Sequence, residues 1–377
     1  MTEQKAGGCL KGLAVGCGSC FLLIVIVVAT TWMGWDIGGA HLKVARLAAD
    51  GSIQTAAQYA TPLWQGLQCL HQEFDRISRA EDMRDARHGL TMTGELVDLF
   101  PDRRAGVGAL LHAFVHHFPE RDTAVFAGQA GFLSVDRARA QATSVASANW
   151  LATALCAATQ IQQGILVDVG STTTDIIPIM AHQPCNLGWN DQQRLACDEL
   201  VYTGIVRTPV MALVQRVPFA GRWQNVAAEY FATAADVYRI TGELDAGADL
   251  HETADRRGKS VAESIARLAR MLGTEAGIEE MGDDHWVRLA AHIAEQQLLL
   301  MERALVAVRK RIDGKMPITI IGAGAGVCLA QKLARRLGCD YVAFSGLFAN
   351  GNAAARDIAT CAPAVAVAEL VRRMELR

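Results

Sequence analysis

"GILVDVGSTTTDIIPIM", residues 164–180, is the stretch that decides the fold. An apolar run ends at Asp168, a turn of glycine and hydroxyl residues follows, and a second apolar run begins after Asp175. This pattern predicts two strands joined by a tight turn. Because hydroxyls and exposed backbone N–H groups suit phosphoryl oxygens and carboxylates suit Mg²⁺, the turn predicts a phosphate-binding loop.

The same design occurs earlier, in "WDIGGAHLKVARLAADGSIQTAAQYA", residues 35–60. We expect Gly38 and Gly39 to turn the chain with positive φ and to present backbone N–H groups to an anion. Asp36, at the strand end, is a candidate ligand for a divalent cation, and Lys43 could reach the same phosphate. The two loops are about one domain length apart, which predicts one copy in each of two domains.

A third glycine-rich element, "ITIIGAGAGVCLAQKL" at residues 318–333, predicts a strand, a turn containing Gly322, Gly324 and Gly326, and a helix. Val327 stands where a dinucleotide fingerprint requires its third glycine, so a Rossmann site is disfavoured. We interpret the element as a nucleotide- or ligand-contacting turn of another fold.

Alternating strand and helix patterns between and after these loops predict an α/β chain in two similar halves. One long helix is expected from about Asp136 to Gln162, with Asp136 as its N-cap. A mostly helical segment is expected over about 191–312, followed by strand, helix, strand and helix. We therefore expect a leader at 1–32, a first domain at 33–162 and a second at 163–377.

The apolar leader contains no charge from Gly12 to Trp35 and is long enough to cross a bilayer as a helix. Lys5 and Lys11 precede it, which would keep the N-terminus in the cytoplasm. Alternatively, the protein starts at Met33 and the leader reflects a mis-assigned start codon. We expect the start at Met33 and a cytoplasmic protein, with a single N-terminal membrane anchor as the alternative.

Charge and cysteine content limit the other classes of function. Lys and Arg total 36 against 39 for Asp and Glu, and no basic block stands out, so no nucleic-acid partner is expected. The ten cysteines show no paired metal-binding spacing, which favours reduced thiols over a disulfide framework.

The order of the three turns resembles that of the actin/hexokinase/Hsp70-type ATPases. More specifically, four segments resemble the hydantoinase/oxoprolinase-related proteins of the tetrahydromethanopterin-linked C1-transfer pathway group: "GWDIGGAHLKVA", "TMTGELVDLF", "VDVGSTTTDIIPI" and "LVYTGIVRTPV". The resemblance covers essentially Met33 to the C-terminus. It implies an α/β fold of two ribonuclease-H-like domains with a cleft between them.

The archaeal relatives in this group include the methanofuran-biosynthesis condensing enzyme, which implies a Mg²⁺-dependent transferase. That chemistry joins an aminomethylfuran-methyl diphosphate to the phenol of γ-glutamyltyramine and releases pyrophosphate without spending ATP. The implied partners are these small molecules, a membrane only if the leader is an anchor, and a second copy of the chain if it forms a homo-oligomer.

The resemblance also assigns roles to residues. The candidate bases are Glu95, Asp36 and Asp168, and the candidate metal ligands are Asp36, Asp168 and Asp175. The candidate diphosphate- or nucleotide-binding residues are Gly38, Gly39, Lys43, Gly170, Ser171, Thr172, Thr173, Thr174, Arg207, Gly322, Gly324 and Gly326. Gln129 is a candidate substrate contact. Glu95 could equally be a helix-start acid, and Arg207 could form a surface salt bridge.

Two other classes of function stay open. One is an ATP-dependent small-molecule kinase of the same fold, in which the Gly322–Gly326 turn holds adenosine and Asp168 or Glu95 is the base. The other is a non-enzymatic ATP-binding regulator or membrane-tethered assembly factor, which the apolar leader would support. ATP is expected as a ligand only under these alternatives.

Overall fold

The computed structural model describes residues 10–17, 20–27, 30–80, 83, 85–119, 122–276, 283–312, 317–349 and 351–376, with side chains from residue 30 onward. The chain divides into two compact units. The first comprises Met1–Ala152, Phe348–Ala354 and Pro363–Arg377, and the second comprises Thr153–Leu347 and Ala355–Ala362.

The strands are β1 (Leu10–Cys17), β2 (Cys20–Val27), β3 (Thr31–Ile37), β4 (His41–Leu47), β5 (Ile53–Ala60), β6 (Ala86–Met92), β7 (Thr123–Phe126), β8 (Phe132–Leu133), β9 (Gln163–Val169), β10 (Thr174–Met180), β11 (Gln183–Pro184), β12 (Leu200–Val201), β13 (Arg216–Phe219), β14 (Arg222–Asn225), β15 (Thr319–Ala323) and β16 (Asp340–Ala343). The helices are α1 (Gln68–Ala80), α2 (Arg103–His117), α3 (Val135–Ala140), α4 (Ala142–Val145), α5 (Asn149–Ala158), α6 (Asp191–Ala196), α7 (Val210–Leu213), α8 (Ala234–Ile240), α9 (Val261–Met271), α10 (Asp283–Arg309), α11 (Val327–Arg336), α12 (Ala355–Thr360) and α13 (Ala362–Glu375).

The sheet of the first unit has the strand order β5–β4–β3–β6–β7–β8. The first three strands form an antiparallel meander, and β6 and β7 continue the sheet in parallel on the other side of β3. Trp35 of β3 is fully buried, and its ring packs against Phe74 of α1 and Phe114 of α2. These aromatic contacts fix both helices on one face of the sheet.

The last helix, α13, packs against the first sheet at positions where only glycine fits. A Cβ on Gly34 of β3 would overlap the carbonyl oxygen of Ala364, and one on Gly89 of β6 would lie 2.7 Å from that of Val367. Pro363–Arg377 therefore belongs to the first unit. This differs from the expected second domain at 163–377, because the packing joins segments far apart in the sequence.

The main sheet of the second unit repeats the arrangement of the first. Its order is β11–β10–β9–β15–β16, with β12 paired to β10. The strand β9 is antiparallel to β10 and parallel to β15, which is in turn parallel to β16. In each unit, one strand (β3 or β9) therefore pairs with an antiparallel strand on one side and with a parallel strand on the other. This is the ribonuclease-H-like order. The predicted α/β fold class of two such domains is confirmed.

The long helix predicted from Asp136 to Gln162 is wrong. The segment forms α3, α4 and α5, and the break before α5 includes Ser147 at a φ of +50°. Ala146 forms a parallel bridge with Met92 at the end of β6, so tertiary pairing overrides the helical periodicity. The N-cap position of α3 is Ser134, which places Asp136 in the first helical turn.

The expected helical region at about 191–312 also contains a hairpin, β13–β14, within its described residues. Ala220 and Gly221 form its turn with φ values of +47° and +79°, the left-handed pair that suits a two-residue hairpin. Residues 277–282 of this region lie outside the described residues.

The leader, where it is described, forms strands and not the helix of the anchor hypothesis. The strands β1 and β2 pair with each other from Leu10–Val27 to Cys17–Cys20, and the run at 24–27 is β-branched throughout. Lys5 lies outside the described residues. Across the described chain, no helix combines the length and apolar character needed to cross a membrane. The first sheet already includes Thr31 and the buried Trp32, two residues before the expected start at Met33.

Candidate functional site

The turn after β3 brings the chain back tightly at the carboxyl end of the strand. The Gly38 N–H donates to His41 O at 2.9 Å. The prediction of positive φ is wrong for both Gly38 and Gly39, since neither occupies the left-handed region. Both glycines are instead required because another group packs closely against them. A Cβ on Gly38 would lie 2.9 Å from His41 O, and one on Gly39 would lie 2.8 Å from Val97 Cγ1.

Asp36 is buried one residue before the end of β3 and directly opposite Lys43 of β4. The Lys43 Nζ lies 4.0 Å from Asp36 Oδ2. Lys43, predicted as a phosphate contact, therefore has a carboxylate partner inside its own sheet. A lysine that balances a buried aspartate stabilises the charge of that aspartate.

Glu95 lies in a short turn, Gly94–Leu96, directly after β6, and its side chain is 1% exposed. The Ser147 hydroxyl donates to Glu95 Oε1 at 2.8 Å. A Cβ on Gly106 of α2 would overlap the Glu95 carbonyl oxygen, so the turn is held against that helix. Glu95 is not the cap of α2, where Asp102 accepts from Ala105 N.

The carboxyl ends of β3, β6 and β7 lie at one edge of the first sheet because these strands are parallel neighbours. This edge carries Asp36, Glu95 and the exposed Gln129 of the turn after β7. The sequence therefore predicted three polar residues that the topology brings to one edge, which is where open α/β sheets bind ligands.

In the second unit, the loop between β9 and β10 is closed by its own backbone. The Gly170 N–H donates to Thr173 O at 2.8 Å. The Thr174 hydroxyl is buried and donates to Thr203 O at 2.7 Å, so this predicted phosphate contact is a structural residue. Ser171, Thr172 and Thr173 remain partly exposed in the turn.

A second segment, 203–208, packs directly on this loop. The N–H groups of Ile205 and Arg207 donate to Gly170 O and Ser171 O at 3.0 and 2.8 Å. The approach requires Gly204, since a Cβ there would lie 2.5 Å from Gly170 O. The buried Gln297 of α10 donates to Gly204 O at 2.8 Å. The loop and the backbone of Arg207 are thus rigidly connected.

A cavity of about 300 Å³ opens beside this loop. Its lining residues are Thr172, Tyr202, Arg207, Thr208, Pro209 and Tyr230. Partial burial raises the pKa of Tyr230, while the Arg207 guanidinium opposes that rise. Of these residues, Thr172 and Arg207 were predicted from the sequence to bind a ligand, and the two tyrosines were not. Tyr202 belongs to the quoted segment "LVYTGIVRTPV", which was the available signal.

The late glycine turn packs on the end of β9. Gly324 has a φ of +84°, and a Cβ there would overlap Asp168 Oδ1 and Val169 O. The Gly326 N–H donates to Val169 O at 2.8 Å. The two glycine turns of this unit, predicted as separate elements, therefore meet at Asp168. Gly322 does not belong to this turn.

Gly322 lies inside β15, where a Cβ would overlap the hydroxyl of Tyr341. Tyr341 is on β16, and residue 343 of that strand pairs with Gly322. The ring of Tyr341 therefore packs directly on Gly322, and the structure does not support the predicted role of this glycine in ligand binding.

Asp175 lies directly opposite Asp168 in the β9–β10 ladder, so their side chains leave the same face of the sheet. Asp175 forms an ion pair with the buried Arg194 of α6. If this carboxylate bound a metal instead, the buried guanidinium would lose its partner, which is strongly unfavourable. The prediction of Asp175 as a metal ligand is therefore not supported.

Asp36 and Asp168 are the other two carboxylates predicted to bind Mg²⁺. Within the described ranges, no group of three His, Cys, Asp or Glu side chains is placed to hold a metal ion. Mg²⁺ is usually held by one or two carboxylates together with substrate phosphates and water. Asp168, 7% exposed at the strand end beside two glycine turns, fits the role of one such carboxylate.

A second cavity, of about 430 Å³, lies among α8, α10 and α11. Leu298 and Leu329 contribute apolar lining, and Lys332 lines the cavity together with its ion-pair partner Glu243. Tyr238 is a lining residue of this cavity, and its buried hydroxyl has no hydrogen-bond partner among the described residues. Burial raises the pKa of Tyr238, so the hydroxyl keeps its proton at neutral pH.

Two ribonuclease-H-like units, with a glycine turn after β3 in one and after β9 in the other, define an α/β protein of the actin/hexokinase class. The hydantoinase/oxoprolinase family model matches residues 87–373. The chain belongs to the hydantoinase/oxoprolinase family.

Two archaeal relatives are similar over much of their length. Both carry the name (4-{4-[2-(gamma-L-glutamylamino)ethyl]phenoxymethyl}furan-2-yl)methanamine synthase. The one from Methanocaldococcus jannaschii is 29% identical over 342 residues, 90% of this chain and 97% of that protein. The one from Methanococcus vannielii is 31% identical over 162 residues, 42% of this chain and 70% of that protein.

Among solved structures, component A of the (R)-2-hydroxyglutaryl-CoA dehydratase of Acidaminococcus fermentans is 10% identical, with a TM-score of 0.45. The match covers 92% of this chain and 99% of that chain.

Proposed function

We propose that this chain is a transferase that joins an aminomethylfuran-methyl diphosphate to the phenol oxygen of a glutamyl-tyramine and releases pyrophosphate. One observation carries the proposal: the chain matches 97% of the length of a relative whose name describes an aryl ether of a furan-methyl group. In that name a phenoxymethyl group links the phenol ring to the furan. The bond to be made is therefore between the phenol oxygen and the furan-methyl carbon.

The proposed reaction breaks the bond between the furan-methyl carbon and the diphosphate oxygen, and pyrophosphate leaves with the electron pair. The phenol oxygen forms the new bond to carbon and gives its proton to a base. Because the leaving group is already activated, no nucleotide is consumed. Negative charge develops on the leaving pyrophosphate, and fixed donors aimed at that charge would accelerate the reaction.

Arg207 and Thr172 are the residues that suit the diphosphate. Both line the cavity beside the loop of the second unit, and the Arg207 backbone is bonded to that loop. A guanidinium presents a planar fork of donors that matches two phosphate oxygens at once. A loop held by Gly204 and Gln297 would keep these donors in place, which lowers the reorganisation needed during the reaction.

Asp168 of the second unit and Glu95 of the first unit have separate proposed roles. Asp168 would be a carboxylate ligand of Mg²⁺, which when bound would supply positive charge to the leaving group. Glu95 is the preferred candidate for the base that accepts the phenol proton. Asp36 is less suitable because it has Lys43 as a partner. The support for Glu95 is its burial and its orientation by the Ser147 hydroxyl.

A second candidate function is phosphoryl transfer from ATP to a small molecule. The observation that favours it is the cavity lined by Tyr238, Leu298 and Leu329, since a buried hydroxyl and apolar walls are typical of sites for a flat ring. The two functions differ in whether a nucleotide is consumed.

The experiment that separates them uses the purified chain with the furan-methyl diphosphate, γ-glutamyltyramine and Mg²⁺. We expect equal amounts of pyrophosphate and ether product in the absence of nucleotide, measured by a pyrophosphate assay and mass spectrometry. Formation of ADP and a phosphorylated product only when ATP is present would replace the proposal with the kinase. Absence of product in both conditions would contradict an enzymatic role toward these substrates.

The variants that test the site are Asp168→Asn, Arg207→Ala and a control, Arg216→Ala. We expect Asp168→Asn to lower kcat by at least 100-fold and Arg207→Ala to raise the KM for the diphosphate by at least tenfold. Arg216 is an exposed arginine on the β13–β14 hairpin, so its removal should leave both constants within twofold of the wild-type values. Equal effects of Arg207→Ala and Arg216→Ala would contradict the assignment of Arg207.

A further inference from the structure

Two tyrosines line the cavity at Arg207 in a chain that contains only five. Tyr202 is 68% exposed and Tyr230 is 50% exposed. Large aromatic side chains at this exposure add little to a hydrophobic core, so packing does not explain both of them. Their placement on one small concave surface points to contact with a ligand.

The backbone places both tyrosines beside the loop. Tyr202 directly follows β12, which is paired with β10 at Thr174 and Asp175. Tyr230 lies three residues before Thr233, which forms an isolated antiparallel β-bridge with Pro209. Three separate segments, 171–174, 200–209 and 229–233, are thus hydrogen-bonded together around the cavity. These main-chain bonds fix the backbone positions from which both tyrosine side chains extend.

The chemistry of the lining residues describes the ligand. Arg207 and Thr172 suit an anionic, phosphate-like group, and the faces of the tyrosine rings suit a flat ring and attract cations. The diphosphate substrate of the proposed reaction has all three features: a diphosphate, a furan ring and an aminomethyl group that is positively charged at neutral pH. The phenol substrate also has a flat ring and an ammonium group, but its anionic group is a single carboxylate. Arg207 and Thr172 together offer several donors, which suit the more highly charged diphosphate better.

We propose that Tyr202 and Tyr230 are the aromatic walls of the furan-methyl diphosphate site, in contact with the aminomethylfuran ring while Arg207 binds the diphosphate. This inference rests on the proposed function and adds to it the residues that select the ring. Because the rings contact the part of the substrate that does not leave, we expect their removal to weaken binding of the diphosphate substrate and to leave binding of free pyrophosphate unchanged.

The test compares Tyr202→Leu and Tyr230→Leu with the wild type and with Trp223→Leu, which removes an exposed aromatic ring from β14. We expect each tyrosine variant to raise the KM for the diphosphate substrate about tenfold, as loss of a ring or cation contact predicts. The KM for the phenol should stay within twofold of the wild-type value. Trp223→Leu should leave both constants unchanged.

Two further measurements separate ring contact from diphosphate contact and from misfolding. Inhibition by inorganic pyrophosphate should be unchanged in both leucine variants and weakened at least tenfold in Arg207→Ala. Tyr202→Phe and Tyr230→Phe should recover most of the affinity lost in the leucine variants, because each keeps an aromatic face. Urea unfolding midpoints of the leucine variants should match that of the wild type.

The outcomes that overturn the inference are distinct from those that overturn the function. If the wild type forms product but the leucine variants keep the wild-type KM for the diphosphate, the tyrosines are not its walls. A rise confined to the KM for the phenol would assign them to the other substrate and overturn the inference in the same way. If the wild type releases no pyrophosphate from this pair of substrates, the proposed function and the inference both fail.

Discussion

Gly324 lies directly against the carboxylate of Asp168, at a φ of +84° and with no room for a Cβ beside Asp168 Oδ1. This contact joins the end of β9 to the turn after β15, two elements more than 150 residues apart in the chain. The position of the Asp168 carboxylate therefore depends on a glycine in a different loop.

Substitution of this glycine should affect both stability and catalysis. We expect Gly324→Ala to lower the free energy of unfolding by about 2 kcal/mol or more, because the left-handed conformation and the overlap with Val169 O both disfavour a Cβ. Displacement of Asp168 should lower kcat at least tenfold. The measurements are urea unfolding and pyrophosphate release.

The matched control is Gly338→Ala, at a φ of +62° with no atom within 4 Å of the added Cβ. It should cost about 1 kcal/mol through backbone conformation alone and leave kcat unchanged. If Gly324→Ala were no more harmful than Gly338→Ala, the contact with Asp168 would have no consequence for catalysis.

Asp175→Asn should destabilise the protein without changing its response to Mg²⁺. The substitution leaves the charge of the buried Arg194 without its carboxylate partner, which predicts a loss of about 3 kcal/mol in the free energy of unfolding. The measurements are urea unfolding and the Mg²⁺ concentration that gives half-maximal activity. Asp136→Asn, with an exposed side chain, is the control and should cost less than about 0.5 kcal/mol.

A large shift in the Mg²⁺ requirement of Asp175→Asn, with unfolding unchanged, would restore Asp175 as a metal ligand. This residue illustrates a limit of the sequence. A carboxylate at the end of a threonine-rich turn suggests a metal ligand, but its partner Arg194 is on α6 and no local pattern connects the two.

The pH dependence of stability should depend on His88. Burial lowers the pKa of His88 to about 4, and Trp35 Nε1 donates to its Nδ1 at 3.1 Å, which requires the neutral ring. The unfolded chain binds this proton near the usual histidine pKa of 6.5, so the unfolded state binds more protons between pH 4 and 6.5. Stability is therefore full above about pH 6.5 and falls by up to about 3 kcal/mol as the pH drops toward 4.

The check is urea unfolding of the wild type and His88→Gln at pH 7.5 and 5. The glutamine can accept from Trp35 but does not titrate, so the variant should lose less stability between the two pH values. Other histidines titrate in both proteins and cancel in the comparison. Equal losses in the two proteins would show that His88 is not the source.

Glu95→Gln tests the assignment of the base. The amide keeps the size of the side chain and an oxygen for the Ser147 hydroxyl, but it cannot accept the phenol proton. We expect kcat to fall at least 100-fold with the KM for the diphosphate within twofold of the wild-type value. Glu252→Gln, the same change at an exposed glutamate outside the proposed site, should leave kcat unchanged. A wild-type kcat in Glu95→Gln would assign the base to another residue.

The local turn chemistry was the part of the fold that the sequence predicted well. The hairpins β3–β4 and β9–β10 and the strand–turn–helix at 318–333 form as expected. Glycine, aspartate and hydroxyl residues favour turns through the backbone conformation and hydrogen bonds of their immediate neighbours. The functions of individual glycines were less predictable. Gly38 and Gly322 are close-approach positions, and that depends on which side chains or carbonyls pack against them.

The elements that the sequence did not predict depend on distant partners. The helix α13 returns to the first sheet through Gly34 and Gly89, and the helical pattern before α5 breaks where Ala146 pairs with Met92. The cavity at Arg207 requires three segments to meet, so Tyr202 and Tyr230 could not be recognised as neighbours. Periodicity reports which face of an element is apolar, but not which element covers it.

In the proposed reaction, the furan-methyl carbon is the electrophile and pyrophosphate is the leaving group. The most direct measurement uses the diphosphate substrate with ¹⁸O in the oxygen that bridges carbon and phosphorus, incubated with γ-glutamyltyramine and Mg²⁺ and without nucleotide. We expect all of the ¹⁸O in pyrophosphate and none in the ether product, as measured by mass spectrometry. Retention of ¹⁸O on the furan-methyl carbon would show that a phosphorus–oxygen bond is cleaved and would contradict the proposed reaction.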